Sequence, residues 1–111
     1  MTWNDASDSC VAKGGTMLSI SNSLRNDWVK NQTTDYVFFG ANDIVDEGTF
    51  VNIDGTSLTF EQWYPGQPDN YDGVQHCTFT NYGQNGHWDD TDCNQTKYCY
   101  ACEKSGTPII R

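Results

Sequence analysis

With 111 residues that include four Trp, six Tyr and five Phe, the chain can bury one modest core, so a single domain over 1–111 is expected. Fifteen acidic residues against six basic give a formal charge of -9, which argues against nucleic acid or anionic lipid as partner, because both reward Lys and Arg. Cations are the natural counterpart, and the absence of a long apolar run leaves no membrane insertion to expect.

In chain order, Thr2 followed by Asp5 has the form of a helix start. Trp3, Ala6, Cys10 and Val11 then recur at helical spacing until Gly14-Gly15 ends the run. A second helix is expected from Ser21 or Ser23, with Leu24, Trp28 and Val29 as its apolar stripe and Asn22, Arg25, Asn26 and Lys30 opposite, ending before Asp35. Tyr36 to Gly40 reads as a strand, as does Phe50 to Ile53 before an Asp54-Gly55 turn. Leu58 to Asn85 is rich in Gly, Pro, Asn and Tyr with little periodicity, the pattern of a long ordered loop region, and such loops usually carry function. Cys77 to Thr80 and Lys97 to Glu103 read as further strands, giving an α+β domain with helices first and sheet last.

Five cysteines in a small domain point to disulfides and an oxidising compartment, hence a secreted or extracellular protein, with Cys99 and Cys102 as the one close pair. Their number leaves the connectivity open. Asn31-Gln32-Thr33 and Asn94-Gln95-Thr96 are glycosylation sequons in a eukaryotic source.

The ordered set of motifs is more specific than any one of them. It comprises Trp3, Ala6, Cys10, Gly14-Gly15 and Leu18, then Phe38-Phe39-Gly40-Ala41, Glu47-Gly48 with Phe50, Asp54-Gly55 and Trp63. It continues with Pro65-Gly66-Gln67-Pro68-Asp69-Asn70, Cys77, Gly86, Trp88-Asp89-Asp90, Cys93 and Cys102-Glu103. Over nearly its whole length the chain resembles a C-type lectin-like domain. The resemblance implies two helices, antiparallel sheets, a long calcium-binding loop, and disulfides Cys10–Cys102 and Cys77–Cys93. It also implies an amino-terminal strand, paired with the last strand, that this chain starts too late to supply. Asn52 replaces a common aromatic, and Cys99 has no partner in the two-bridge pattern; a buried thiol or a partner in a missing segment is favoured over a covalent dimer.

The resemblance places a calcium cofactor on Gln67, Asp69, Gln75, Asp89 and Asp90, with the Gln67-Pro68 bond cis. Calcium takes six to eight oxygens from such groups, and a protein cage that leaves two positions open accepts two neighbouring sugar hydroxyls. Gln75 stands where a Glu is common and Asp89 where an Asn is common, so the site keeps three carboxylates, Asp69, Asp89 and Asp90. Gln-Pro-Asp resembles the galactose-type arrangement, and Tyr71 falls where galactose-binding members carry a stacking aromatic. The carbohydrate-binding set is therefore Gln67, Asp69, Tyr71, Gln75, Asp89 and Asp90. A second metal position is implied at Asp43, Glu47 and Asn70. There His76 replaces a usual acid and should leave the calcium weak or absent; His76 and His87 are otherwise expected to face solvent.

Calcium-dependent binding of glycans with terminal galactose or N-acetylgalactosamine is the expected function, with several copies needed for avidity. One rival is a protein-binding member in which calcium only orders the loop. Another is ice binding, since type II antifreeze proteins resemble the same family. No catalytic constellation is visible, so an enzyme is not expected.

Overall fold

The computed structural model describes residues 1–83 and 85–111; Gln84, within the stretch expected as loop, lies outside them. The elements are α1 (Trp3–Ala12), β1 (Thr16–Met17), α2 (Ser23–Gln32), β2 (Val37–Asn42), a 3-10 turn at Tyr71–Gly73, β3 (Cys77–Tyr82), β4 (His87–Thr91), β5 (Cys99–Lys104) and β6 (Thr107–Ile110). The strands run β1-β5-β2-β3-β4 across the sheet, with β6 on the other edge of β5. Most pairings are antiparallel, as expected, but β2 and β5 pair in parallel at Val37 with Cys99 and Phe38 with Tyr100.

Both helices begin at side-chain caps. Thr2 Oγ1 accepts the Asp5 amide at 3.1 Å and Asn22 Oδ1 accepts the Arg25 amide at 2.9 Å, which satisfies donors that have no partner within the first turn. α1 buries Trp3, Ala6 and Cys10, whereas Val11 is exposed. α2 departs from its expected stripe: Leu24 lies in solvent, and Asn26, expected on the polar side, is buried with Val29. The reversal has a polar cause, because Asn26 has hydrogen-bonding partners inside the core.

The Phe50 to Ile53 strand is reduced to Val51, which bridges Asn42 on one side and Ser57 on the other. Turn bonds explain the loss. The Asn52 amide donates to Thr56 O at 2.8 Å and the Gly55 amide to Asn52 O at 2.9 Å, so the chain reverses at Asp54-Gly55 before longer pairing can form.

β6 covers the edge of β5 away from β1 and β2, with Ala101 opposite Ile110 and Glu103 opposite Pro108. An open row of backbone donors on β5 is thereby paired. Cys10–Cys102 joins α1 to β5, and Cys77–Cys93 ties the start of β3 to the chain beyond β4, both as the resemblance implied. A bridge with a sequence separation of 92 stabilises by on the order of 4 to 5 kcal/mol in the chain-entropy account. Cys99 is a half-buried free thiol, 3.8 Å from Asp35 Oδ2.

Candidate functional site

Trp88 organises the region that precedes the site. Its ring is fully buried against Phe39, Phe60 and Trp63, with ring centres 4.7, 5.8 and 5.6 Å away. Its backbone pairs with the start of the long loop: the Trp88 amide donates to Gln62 O at 2.8 Å and the Tyr64 amide to Trp88 O at 2.9 Å. The loop is thus pinned to β4 one residue before Asp89 and Asp90. The chain turns back through Pro65-Gly66, where the Gln67 amide donates to Tyr64 O at 2.9 Å, and the Gln67-Pro68 bond is cis.

β4 pairs with β3 so that Asp90 lies opposite Thr78 and Asp89 opposite Phe79. Asp90 is almost wholly buried, and its two oxygens accept the Asp69 amide at 3.3 Å and the Asn70 amide at 2.7 Å. These bonds dock the Gln67-Pro68-Asp69 turn onto β4. Asp69, Asp89 and Asp90 each bring a carboxylate oxygen to within 4.8 Å of the other two. Burial first, and then Asp90 and Asp69, push the Asp89 carboxyl up to about 7.

The following loop closes on itself. Asn70, with φ 47°, accepts the Gln75 amide on Oδ1 at 2.9 Å, and Gln75 Oε1 accepts the Tyr71 amide at 3.1 Å. The Tyr71 ring is held outward and is 66% exposed.

Residues 1–104 match the family described as Lectin C-type domain. The chain belongs to the C-type lectin family. It is 33% identical over 104 residues to the versican core protein of Rattus norvegicus, a match that covers 93% of this chain and 4% of versican. It is 35% identical over 106 residues to collectin-10 of Xenopus tropicalis, covering 91% of this chain and 38% of collectin-10. The chain therefore spans only a minor part of these curated relatives. Among solved structures, a Ca2+-dependent type II antifreeze protein in its Ca2+-free form superposes with a TM-score of 0.78 at 30% identity, covering 86% of this chain and 78% of that one.

C-type lectins typically bind calcium, and the donor set of this chain fits that ion. Three clustered carboxylates without a cation repel one another. Gln67 Oε1 and Asp89 Oδ1 are also buried with no hydrogen-bond partner among the described residues. Buried acceptors are normally satisfied, so an orphaned oxygen within the acidic cluster, and another on Gln67 two residues before Asp69, are the chemistry that a hard cation completes. Gln75 Oε1 already accepts one hydrogen bond, and its second lone pair is the one left for a ligand role.

Two residues depart from the sequence expectation. His87 is half-buried in β4 with its ring against Tyr64, centres 5.6 Å apart. His76 is 33% exposed rather than solvent-facing, and its Nδ1 lies 3.1 Å from Asp43 Oδ1. Asp43, Glu47 and His76 form a second cluster. Asn70 reaches it by donating Nδ2 to Glu47 Oε1. The family resemblance places His76 at this second position, and the pairing of β2 with β3 at Asn42 and Cys77 brings it beside Asp43.

Proposed function

We propose that this chain is a secreted, calcium-dependent carbohydrate-binding module that prefers galactose or N-acetylgalactosamine. The observation that carries the reading is the pair of orphaned oxygens, Gln67 Oε1 and Asp89 Oδ1, set with Asp69 and Asp90 on two separate segments. Bound calcium would offer coordination positions to two neighbouring sugar hydroxyls. The protein's own groups then select among hydroxyl geometries: Asp69, Asp89 and Asp90 accept hydroxyl protons, and the Gln67 amide NH2 donates to a remaining lone pair. The exposed Tyr71 ring is free to take the apolar face of a galactose-type sugar. Two disulfides support an oxidising compartment.

A single monosaccharide buries little surface, so useful affinity calls for several copies of the domain. Retention on galactose resin that chelator reverses, with weaker retention on mannose resin, is the expected result. Equal or reversed retention defeats the sugar preference, and no retention on either resin at saturating calcium defeats carbohydrate binding. Similarity to a Ca2+-dependent type II antifreeze protein favours ice binding as a second reading. Thermal hysteresis in calcium-loaded protein without sugar retention would select it.

A further inference from the structure

The second calcium that the resemblance implied at Asp43, Glu47 and Asn70 does not fit the donors found there. Asp43 leaves β2 just as His76 enters β3, and the Asp43 amide donates to His76 O at 3.1 Å, which sets the two side chains abreast. His76 Nδ1 lies 3.1 Å from Asp43 Oδ1 and 3.8 Å from Glu47 Oε1. Asn70 Oδ1 already accepts the Gln75 amide and its Nδ2 donates to Glu47 Oε1, so Asn70 has one oxygen lone pair left for an ion and crowds Glu47 with a donor. Two carboxylates and an imidazole nitrogen are a poor set for calcium, which takes six to eight oxygens.

The same atoms suit a different ion. Imidazole with carboxylate is a ligand set for zinc, whose bonds of about 2.0 to 2.2 Å place tetrahedral ligand atoms roughly 3.3 Å apart. His76 Nδ1 and Asp43 Oδ1 share a 3.1 Å hydrogen bond and Glu47 Oε1 lies 3.8 Å from the same nitrogen, so the donors already converge at about that spacing and an ion would displace the shared proton. The inner oxygen is already oriented, because Asp43 Oδ2 accepts the Gly48 amide at 2.9 Å, the kind of outer contact that fixes a ligating carboxylate. Asp43 is 1% exposed, His76 is part-exposed and Glu47 is 54% exposed, so the cluster is closed toward the protein and open on the Glu47 side for entry and a fourth ligand.

We propose that Asp43 Oδ1, Glu47 Oε1 and His76 Nδ1 form a zinc-class divalent cation site, separate from the Asp69, Asp89 and Asp90 cluster. It links the 43–48 loop to the strand that follows the 70–75 loop, and it does not depend on the carbohydrate reading.

Calorimetric titration of the calcium-saturated protein with zinc, with cobalt as the spectroscopic probe of coordination, tests it. One equivalent of zinc should bind with calcium in excess, and His76→Ala should weaken that step by more than about tenfold, since even outer partners are worth on the order of 10- to 100-fold. Asp90→Asn should leave the zinc step intact while removing calcium. His76→Asp should lose zinc and gain a second calcium. A zinc step that survives His76→Ala, disappears with Asp90→Asn, or is displaced by calcium overturns the proposal. Metal-free melting curves of the His76 variants, whose side chain is part-exposed, verify that each remains folded. Loss of galactose retention with the zinc step unchanged would count against the lectin reading alone.

Discussion

The indole N–H of Trp88 donates to Asn26 Oδ1 at 2.8 Å, a bond inside the core between residues 62 positions apart. Asn26 Nδ2 donates to Gly86 O at 2.9 Å, so one buried carboxamide joins α2 to both the turn and the strand that present Asp89 and Asp90. Asn26→Leu orphans the buried Trp88 N–H, at a cost of about 1 to 3 kcal/mol, and leaves Gly86 O with only the 3.3 Å bond from Thr80 Oγ1. The expected result is a lower urea midpoint together with weaker calcium binding, since Trp88 also carries the loop at Gln62 and Tyr64. An unchanged midpoint would show that the node is not structural.

Two glycines separate steric from conformational need. A Cβ on Gly15 would lie 2.2 Å from the Glu103 backbone oxygen, because β1 and β5 meet there. Gly15→Ala must push the strands apart and should cost about 1 to 3 kcal/mol or more. Gly55 has open space around it but a φ of +86°, so Gly55→Ala should cost roughly 1 kcal/mol through backbone strain alone. Chemical denaturation of the two variants should rank Gly15→Ala as the more damaging, and the reverse order would contradict the close approach.

The two helices and the turn at Asp54-Gly55 were legible because each rests on local chemistry: caps, turn residues and spacing. The bridges and the site residues came through the family resemblance. What sequence missed depends on contacts that local pattern does not encode. β1 is two residues long and exists because Met17 meets Cys102. β4 carries two acids in place of an alternating apolar pattern, since Asp89 and Asp90 face a candidate ion site. β6 contains Pro108, which reads against a strand yet is tolerated at a sheet edge. Asn26 looked like a surface residue because its partners, Trp88 and Gly86, are about sixty positions away. At the site, Asp69, Asp89 and Asp90 cluster, and so do Asp43, Glu47 and His76, where the resemblance puts the second position; the direct bond of His76 to Asp43 follows from the β2–β3 pairing.

The raised Asp89 carboxyl gives the metal-free protein a pH signature. The folded state holds a proton up to about pH 7, whereas an ordinary carboxyl releases it near 3.8. The unfolded chain therefore binds fewer protons across that window, and the stability contributed by protonated Asp89 is lost as pH rises toward 7. In chelator, melting temperature should fall between pH 5 and about pH 7 more steeply than in Asp89→Asn, which has no proton to lose. With calcium the trend should reverse, because the ion requires the deprotonated carboxylate. Parallel slopes for wild type and Asp89→Asn in chelator would show that burial beside Asp90 and Asp69 does not perturb this group.

Asp90 has two tasks, and substitution can divide them. Its oxygens accept the Asp69 and Asn70 amides, and one of them also belongs to the carboxylate cluster. Asp90→Ala removes both functions, so the calcium-induced rise in melting temperature should vanish and the metal-free protein should also melt lower, by an amount set by two lost hydrogen bonds to a charged acceptor, about 1.5 to 3 kcal/mol each. Asp90→Asn keeps one acceptor oxygen of similar size but not the charge, so its metal-free melting should lie between wild type and Asp90→Ala while its calcium shift is still lost. Thermal melts of the three proteins, with chelator and with calcium, give the comparison. If Asp90→Asn retained the full calcium shift, Asp69 and Asp89 would suffice to hold the ion and Asp90 would be only the clamp that seats the cis-proline turn on β4.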